Sequence, residues 1–456
     1  GASATNPNIL QIAPGTYNTA ITTGVSLSNS KNNIALIGLS SNPDDVVITS
    51  TLDSSYNPGS GALGTTGSAT LQLKGNNVSA LNITFANSTD TPYIANTGHQ
   101  AVSPSGNYAT GQSQASNSPA VALLLQGDQQ AFQNCKFLGF QDTLYTKGGR
   151  TYFKNCTVSG DIDFIFANGT DVFNHSTINL DGDHSGGTIT AASTDKRSAS
   201  GIVFLNSTIT ANSVKGNPII DSQNAANASG PAANSMYLGR PWGWQQVGGD
   251  ADTVFINTIM PSAIRNVGWL AWNSNETNVA NGKNNGNPAE DSRYAEYNSV
   301  QSDEVTPVDI SQRVSWSHQL TAAQAAVFTV ANVFSPEAQY PWYGQGYPAG
   351  DLNNPGTGSA NPSDPNYSWP AFWGDRNSNN DTANAAVSQT FPTPGNPAGY
   401  TNPSWPMGAT AWDADGQLAA LVPEPATLAL FTLGGISMLL IGYRRRLKAT
   451  IDSRAS

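Results

Sequence analysis

The chain has 456 residues, long enough for one large domain or two to three ordinary ones with a sizeable core. Only 11% are charged, against roughly 25% in ordinary soluble domains, and the net charge is −11 with a pI near 4.7. With no basic cluster before residue 444, nucleic acid is excluded as a partner, and an anionic polymer would have to be met by a local site.

The first strand-like piece is "NVSALNITFAN" at 77–87, and similar pieces recur at "GIVFLNSTIT" (201–210) and "DTVFINTIM" (252–260). Between residues 131 and about 180 the chain can be laid over itself with a 21-residue offset. That offset aligns Ala131, Tyr152 and Phe173, and it matches Phe132 with Phe153, Asn134 with Asn155, Cys135 with Cys156, Phe137 with Val158, and Gly139 with Gly160. A fixed period of this length, built of short β-rich runs with no amphipathic helix between them, predicts a solenoid of strands. The expected fold is all-β, a right-handed parallel β-helix. Residues one turn apart would stack at about 4.8 Å, so Cys135 and Cys156 should be neighbours, either as a disulfide or as two buried thiols.

The same offset pairs Asp142 of "GFQDTLY" with Asp163 of "GDIDFIF", so both carboxylates should project from one face of adjacent turns. Asp163 lies among Ile162, Phe164, Ile165 and Phe166, where an unpaired carboxylate carries a large desolvation cost. Two carboxylates so close repel, and a cation beside one of them separates their protonation states, which is how one site sets an acid beside a nucleophile or base. Two solvated aspartates on the coil exterior are the plain alternative, weakened here by the apolar neighbours and by Gln141.

Two cysteines with no CxxC or HExxH spacing, and four scattered histidines, support no zinc site, and there is neither a GxSxG elbow nor a Walker loop. No metal and no cofactor are expected. The chain begins at Gly1 without Met, which fits an export signal already trimmed.

Further along, "TAAQAAVFTVANVF" (321–334) predicts a helix capped by Thr321. Residues 346–421 are rich in Pro, Gly and Asn and read as an irregular linker, yet Trp369, Trp373, Trp405 and Trp412 lie there, so part of it is expected to pack on the coil or touch sugar. The segment 422–448 holds an apolar span, Ala426 to Tyr443, followed by Arg444, Arg445, Arg446 and Lys448. It predicts a short transmembrane helix whose basic flank stays cytoplasmic, with everything before it exported.

Several ordered motifs make the chain resemble the pectin methylesterase family over roughly residues 9 to 342: "PGTYNTAI", "NITFAN", "AVAL", "GFQDTLY", "DFIFA", "LGRPW", "VGWLAW" and "EDSRYAEY". The resemblance implies a catalytic β-helix over residues 1–345 that removes methyl esters from pectin and releases methanol. It implies Asp163 as the nucleophile attacking the ester carbonyl and Asp142 as the acid, then base, of the two half-reactions. Arg240 would pair with Asp163 and orient it through a fork of donors, Gln141 would donate to the developing oxyanion, and Trp242, Phe166 and Tyr145 would bind the sugar chain.

Three departures accompany the resemblance. Pro119 stands where the family has a glutamine before "AVAL", a second oxyanion donor, and displaced substitutes would be Gln100 or Gln114. Ala167 replaces the usual glycine after "DFIF", where a methyl would narrow the site or shift a tight backbone position. The first strand and helix expected before "PGTY" are missing, which predicts a truncated N-terminal cap.

The end of the chain resembles a PEP-CTERM sorting tail, with "VPEP" at 422–425, the apolar span and "RRR" at 444–446. This implies a Gram-negative-type bacterial host, processing by its sorting machinery, transient holding in the inner membrane, and delivery to the cell surface or beyond. A monomer is expected. The competing expectations are a non-catalytic surface polysaccharide-binding β-helix protein and a pectate lyase, the latter disfavoured by the lack of an acidic calcium cluster in the sequence.

Overall fold

In a computed structural model the structure describes residues 2–19, 27–57, 61–89, 119–181, 186–195, 200–212, 230–242, 249–272, 292–315, 317–334 and 412–421. Among these residues the strands form three all-parallel sheets of ten, nine and seven strands, with one small antiparallel pair, Thr194–Asp195 with Gly249–Asp250. Seven successive turns each contribute one short strand to each sheet, and the last turns add strands only to the ten- and nine-stranded ones, which makes a parallel β-helix.

The corners explain why this sequence coils. Asn82, Asn134, Asn155, Asn206, Asn257 and Asn298 all take the left-handed backbone, with φ between 48° and 57°, a conformation that Asn tolerates better than most residues. They stack at one corner of successive turns, and the amides join: Asn134 donates to Asn82 at 2.8 Å, Asn257 to Asn206 at 3.2 Å and Asn298 to Asn257 at 2.9 Å. His175 takes the same corner with φ 52° between Asn155 and Asn206.

Inside the coil, Phe132, Phe153, Phe173, Phe204 and Phe255 pair in register from strand to strand, with centroids 4.4–5.3 Å apart. All are fully buried, so this stack forms the axis of the core. The expected period of 21 holds where Ala131 faces Tyr152, Lys136 faces Thr157 and Leu144 faces Ile165. On the next turn Tyr152 faces Val172 and Phe153 faces Phe173, a step of 20. The cause is local: three residues, Lys147 to Gly149, link the strands ending at Thr146 and starting at Arg150, but only Asn168 and Gly169 link the next pair.

Cys135 and Cys156 stack as expected and are both free buried thiols. A strand, Asn8–Ile12, does stand ahead of Pro14 and pairs with Ile34–Gly38, which corrects the expectation that the first strand is missing.

The helix expected over 321–334 is two four-residue helices, Ala322–Ala325 and Val330–Val333. Thr321 and Gln324 form the reciprocal capping box, but Thr329 adopts an extended backbone and caps Asn332 instead of continuing the first helix. Val327, Phe328 and Thr329 are weak helix formers, and the break lets Phe328, Val333 and Phe334 all bury.

Part of the stretch read as a linker is packed structure. Trp412 is buried beside Phe334, and the helix Ala414–Ala419 lies on the ten-stranded sheet, where Asp415 pairs with Lys154 at 2.6 Å and Gln417 donates to Ser79 at 2.8 Å. Trp369, Trp373 and Trp405 lie outside the described residues, as do Gln100, Gln114 and the apolar span 426–443. Among the described residues no helix is long and apolar enough to cross a membrane, so the transmembrane expectation gains no support from the structure.

Candidate active site

The site is built on the outer face of the seven-stranded sheet. There Leu124, Tyr145, Phe166, Ala191 and Arg240 form one column, each in register with the next: Leu124 with Tyr145, Tyr145 with Phe166, Phe166 with Ala191, and Ala191 with Arg240. Because side chains alternate across a strand, Ile165 and Ala167 point into the core while Phe166 points out. Ala167 is thus fully buried among core side chains, and its methyl does not narrow the site as expected. Gly239 lets the strand Tyr237–Pro241 approach its neighbour, since a Cβ there would meet the Thr190 hydroxyl at 2.0 Å.

Tyr145 and Phe166 stack at 4.1 Å, and Trp242 stands edge-on to both at 6.1 and 5.8 Å. With Trp272 they wall a cavity of about 300 Å³ into which Asp142 and Asp163 open. Thr65 and Thr66, from the short helix Gly64–Gly67, and Ala191 complete its lining. Gln72 holds that helix by donating to the Thr66 carbonyl at 3.0 Å.

Asp142 and Asp163 both take the left-handed backbone, with φ 59° and 49°. The Asp142 amide donates to the Ile162 carbonyl at 3.0 Å, an ordinary step to the next turn. Asp163 does not repeat it. The register slips between Ile162 and Ile165, and the Asp163 amide donates to the Thr188 hydroxyl at 3.0 Å. Thr188 in turn donates to Oδ1 of the same carboxylate.

Arg240 grips that carboxylate in a fork, with Nε 2.9 Å from Oδ1 and 3.1 Å from Oδ2, and Nη2 bonded to Oδ2. Asp163 is only 5% exposed, so a paired guanidinium and a hydroxyl resolve the desolvation problem that its sequence position raises. The Arg240 guanidinium also lies 4.4 Å from the centroid of the Trp272 ring.

Asp142 keeps part of its surface open to the cavity, yet its carboxyl is largely shielded from water. That burial pushes its pKa well above the usual carboxylate range, the Asp163 charge adds to the rise, and Arg240 opposes it. One carboxylate is held by a cation and the other is biased toward keeping a proton, a combination suited to acid and nucleophile chemistry.

Gln141 is half-buried one residue before Asp142, with its carbonyl accepting the Ala120 amide at 3.2 Å, and it is not part of the cavity lining. Pro119 sits beside Ala120 on the turn before, its carbonyl accepting the Ser54 amide at 2.8 Å. The remaining sequence-predicted residues, Asp142, Asp163, Arg240, Tyr145, Phe166 and Trp242, meet at the cavity. Sequence reasoning missed Thr65, Thr66, Thr188, Ala191 and Trp272. Only Trp272 carried a signal, as the last residue of "VGWLAW".

Residues 106–337 match the family model described as Pectinesterase, and residues 421–446 match the PEP-CTERM protein-sorting motif. The chain is 31% identical over 340 residues to pectinesterase 31 of Arabidopsis thaliana, covering 73% of this chain and 85% of the relative. Among solved structures, it is similar to the pectin methylesterase from Yersinia enterocolitica, at 30% identity and TM-score 0.52, covering 72% of this chain and 93% of that one. A pectin methylesterase in complex with a hexasaccharide is similar at 29% identity and TM-score 0.52, with 73% and 89% of the two chains covered.

Proposed function

The chain belongs to the pectinesterase family of carboxylic ester hydrolases, and from that premise we propose that it removes methyl esters from the galacturonate units of pectin through Asp163 and Asp142. The observation that carries this reading is the pairing of a forked, threonine-bonded Asp163 with a pKa-raised Asp142 in one aromatic-walled cavity.

In the first half-reaction an Asp163 oxygen attacks the ester carbonyl carbon and the carbonyl electrons move onto oxygen. Collapse of that tetrahedral species breaks the bond to methoxide, which takes the Asp142 proton and leaves as methanol. The galacturonyl group is left on Asp163 as an acid anhydride. Water then attacks the galacturonyl carbon, gives its proton to the Asp142 carboxylate, and releases the Asp163 carboxylate and the free galacturonate. Gln141 would donate to the oxyanion, a contact worth about 3 kcal/mol in comparable sites. Trp242, Tyr145 and Phe166 give the sugar rings apolar faces to lie on, consistent with the oligosaccharide held by the similar pectin methylesterase.

The sorting motif at the C-terminus supports export, transient holding in the inner membrane by the tail and delivery to the surface after the sorting machinery has processed it.

Methanol release from methyl-esterified pectin tests the reaction. The Asp163→Asn variant should fold and lose several powers of ten in turnover; retention of more than about a tenth of wild-type turnover sinks the assignment.

A further inference from the structure

The Asp163 carboxylate is bound asymmetrically, and its two oxygens are not equivalent. Oδ1 accepts the Thr188 hydroxyl and the nearer approach of Arg240 Nε, at 2.9 Å. Oδ2 accepts Arg240 Nη2, while Nε, with its single hydrogen, stands farther away at 3.1 Å. A carboxylate oxygen has two in-plane lone pairs; on Oδ1 one takes the whole Thr188 hydroxyl bond and the other the nearer share of the Nε hydrogen, whereas the second lone pair of Oδ2 meets only the farther share of that same hydrogen and is the more open.

The Thr188 hydroxyl has no freedom to do otherwise. An amide can only donate, so the Asp163 N–H at 3.0 Å makes Oγ1 an acceptor there and leaves the hydroxyl hydrogen for Oδ1. Thr188 is itself fully buried and in register with Ile162, on the near side of the slip that throws Asp163 outward. One side chain thus fixes both the left-handed backbone of Asp163 and the rotation of its carboxylate.

Resting on Asp163 as the nucleophile, we infer that Thr188 is a positioning residue that occupies Oδ1 and reserves Oδ2 for attack on the ester carbonyl. Without it the carboxylate can rotate about its Cβ–Cγ bond within the Arg240 fork, and attack geometry is lost while the cavity that binds sugar is unchanged. The effect should therefore fall on kcat and not on KM.

Steady-state methanol release by Thr188→Val, Thr188→Ser and Thr188→Cys, beside Asp163→Asn, tests this. Thr188→Val should lose about 10- to 100-fold in kcat with KM within about twofold, and Thr188→Ser, which keeps both hydrogen bonds, should recover most of it. Should the valine variant not fold, serine against cysteine decides, because a thiol is a weak donor and should fall well below serine. An unchanged kcat in Thr188→Val, or equal loss in serine and cysteine, overturns the role of Thr188 while an inactive Asp163→Asn keeps the nucleophile reading. Activity in Asp163→Asn overturns that reading first.

Discussion

Asp142 and Asp163 occupy matching positions on successive turns, both with left-handed backbones, yet their carboxyls meet opposite surroundings. The strand that follows each one is paired in register, Leu144 with Ile165 and Tyr145 with Phe166, so the coil repeats the placement. Of the two carboxylates, Arg240 and Thr188 hydrogen-bond that of Asp163, while that of Asp142 meets burial and its neighbour's negative charge. A repeat supplies two identical side chains, and the turns beyond them make their chemistry differ.

The pH profile should report that difference. In the proposed reaction Asp142 gives the proton that releases methanol, and burial followed by the Asp163 charge raises its pKa well above the ordinary value. Turnover should hold while pH stays below the raised pKa and fall as pH rises through it, because the acid is then lost. Methanol release measured across pH should show this alkaline limb displaced upward from the ordinary carboxylate range, and Asp142→Asn should remove turnover without shifting the thermal midpoint by more than a few degrees.

Arg240 should not be replaceable by lysine. Its fork contacts both oxygens of Asp163 and its flat face rests on Trp272, and an ammonium can reproduce neither. Arg240→Lys should lose about 10- to 100-fold in kcat, and Trp272→Ala, which removes a contact worth about 0.5–2 kcal/mol, should lose less. A lysine variant with full turnover in a kinetic assay would mean that charge alone suffices.

The coil and its stacked carboxylate pair were legible because both follow from repetition. Phe132 and Phe153, or Asp142 and Asp163, declare themselves by equal spacing. The step from 21 to 20 was not legible, because the deletion that causes it lies in a corner, between Ala167 and Thr170, where no apolar pattern marks the count. Thr188 was hidden for a related reason. Its part depends on a register slip against Ile162–Ala167, the neighbouring strand from the previous turn, and a threonine in a buried strand carries no sign of which neighbour it bonds. Trp412 signalled that part of the linker-like stretch packs, but the helix after it was hidden because the Pro- and Gly-rich composition around it outweighs one short amphipathic turn.

Asp171 should make stability fall with rising pH. It is fully buried, and although Thr146 donates to it, burial pushes its pKa up from 3.8 to about 8. Between those values the unfolded carboxyl is ionised while the folded one keeps its proton, so the unfolded state binds fewer protons and ΔG of unfolding decreases as pH rises. This contribution is complete below the unfolded value and lost through the folded one. Asp171→Asn, which cannot ionise, should flatten the dependence of the denaturation midpoint on pH between about 4 and 8, a window set by the two pKa values. An unchanged slope would show that other groups set it.

The segment ending at Leu421 should act as a clasp on the coil. Trp412 is buried against Phe334, its Nε1 donates to Gln417 at 2.8 Å, and Gln417 donates on to Ser79 at 2.8 Å and to the Gln129 carbonyl at 3.2 Å. Arg150, held by Asp128 at 2.7 Å, bonds the Phe334 carbonyl at 3.1 Å and lies 5.9 Å from the Trp412 ring, which ties the two ends of the intervening stretch to one buried ion pair. Replacing Trp412 with alanine removes a large buried side chain and should cost about 3–5 kcal/mol. Gln417→Ala, which leaves the Trp412 indole and two coil groups without their partner, should cost about 1–3 kcal/mol. Because the clasp lies on the ten-stranded sheet and the carboxylates on the seven-stranded one, kcat of the folded fraction should not change in either variant. Chemical denaturation followed by tryptophan fluorescence, with methanol release assayed below the unfolding transition, separates the two effects; lost turnover without lost stability would place the clasp in communication with the site.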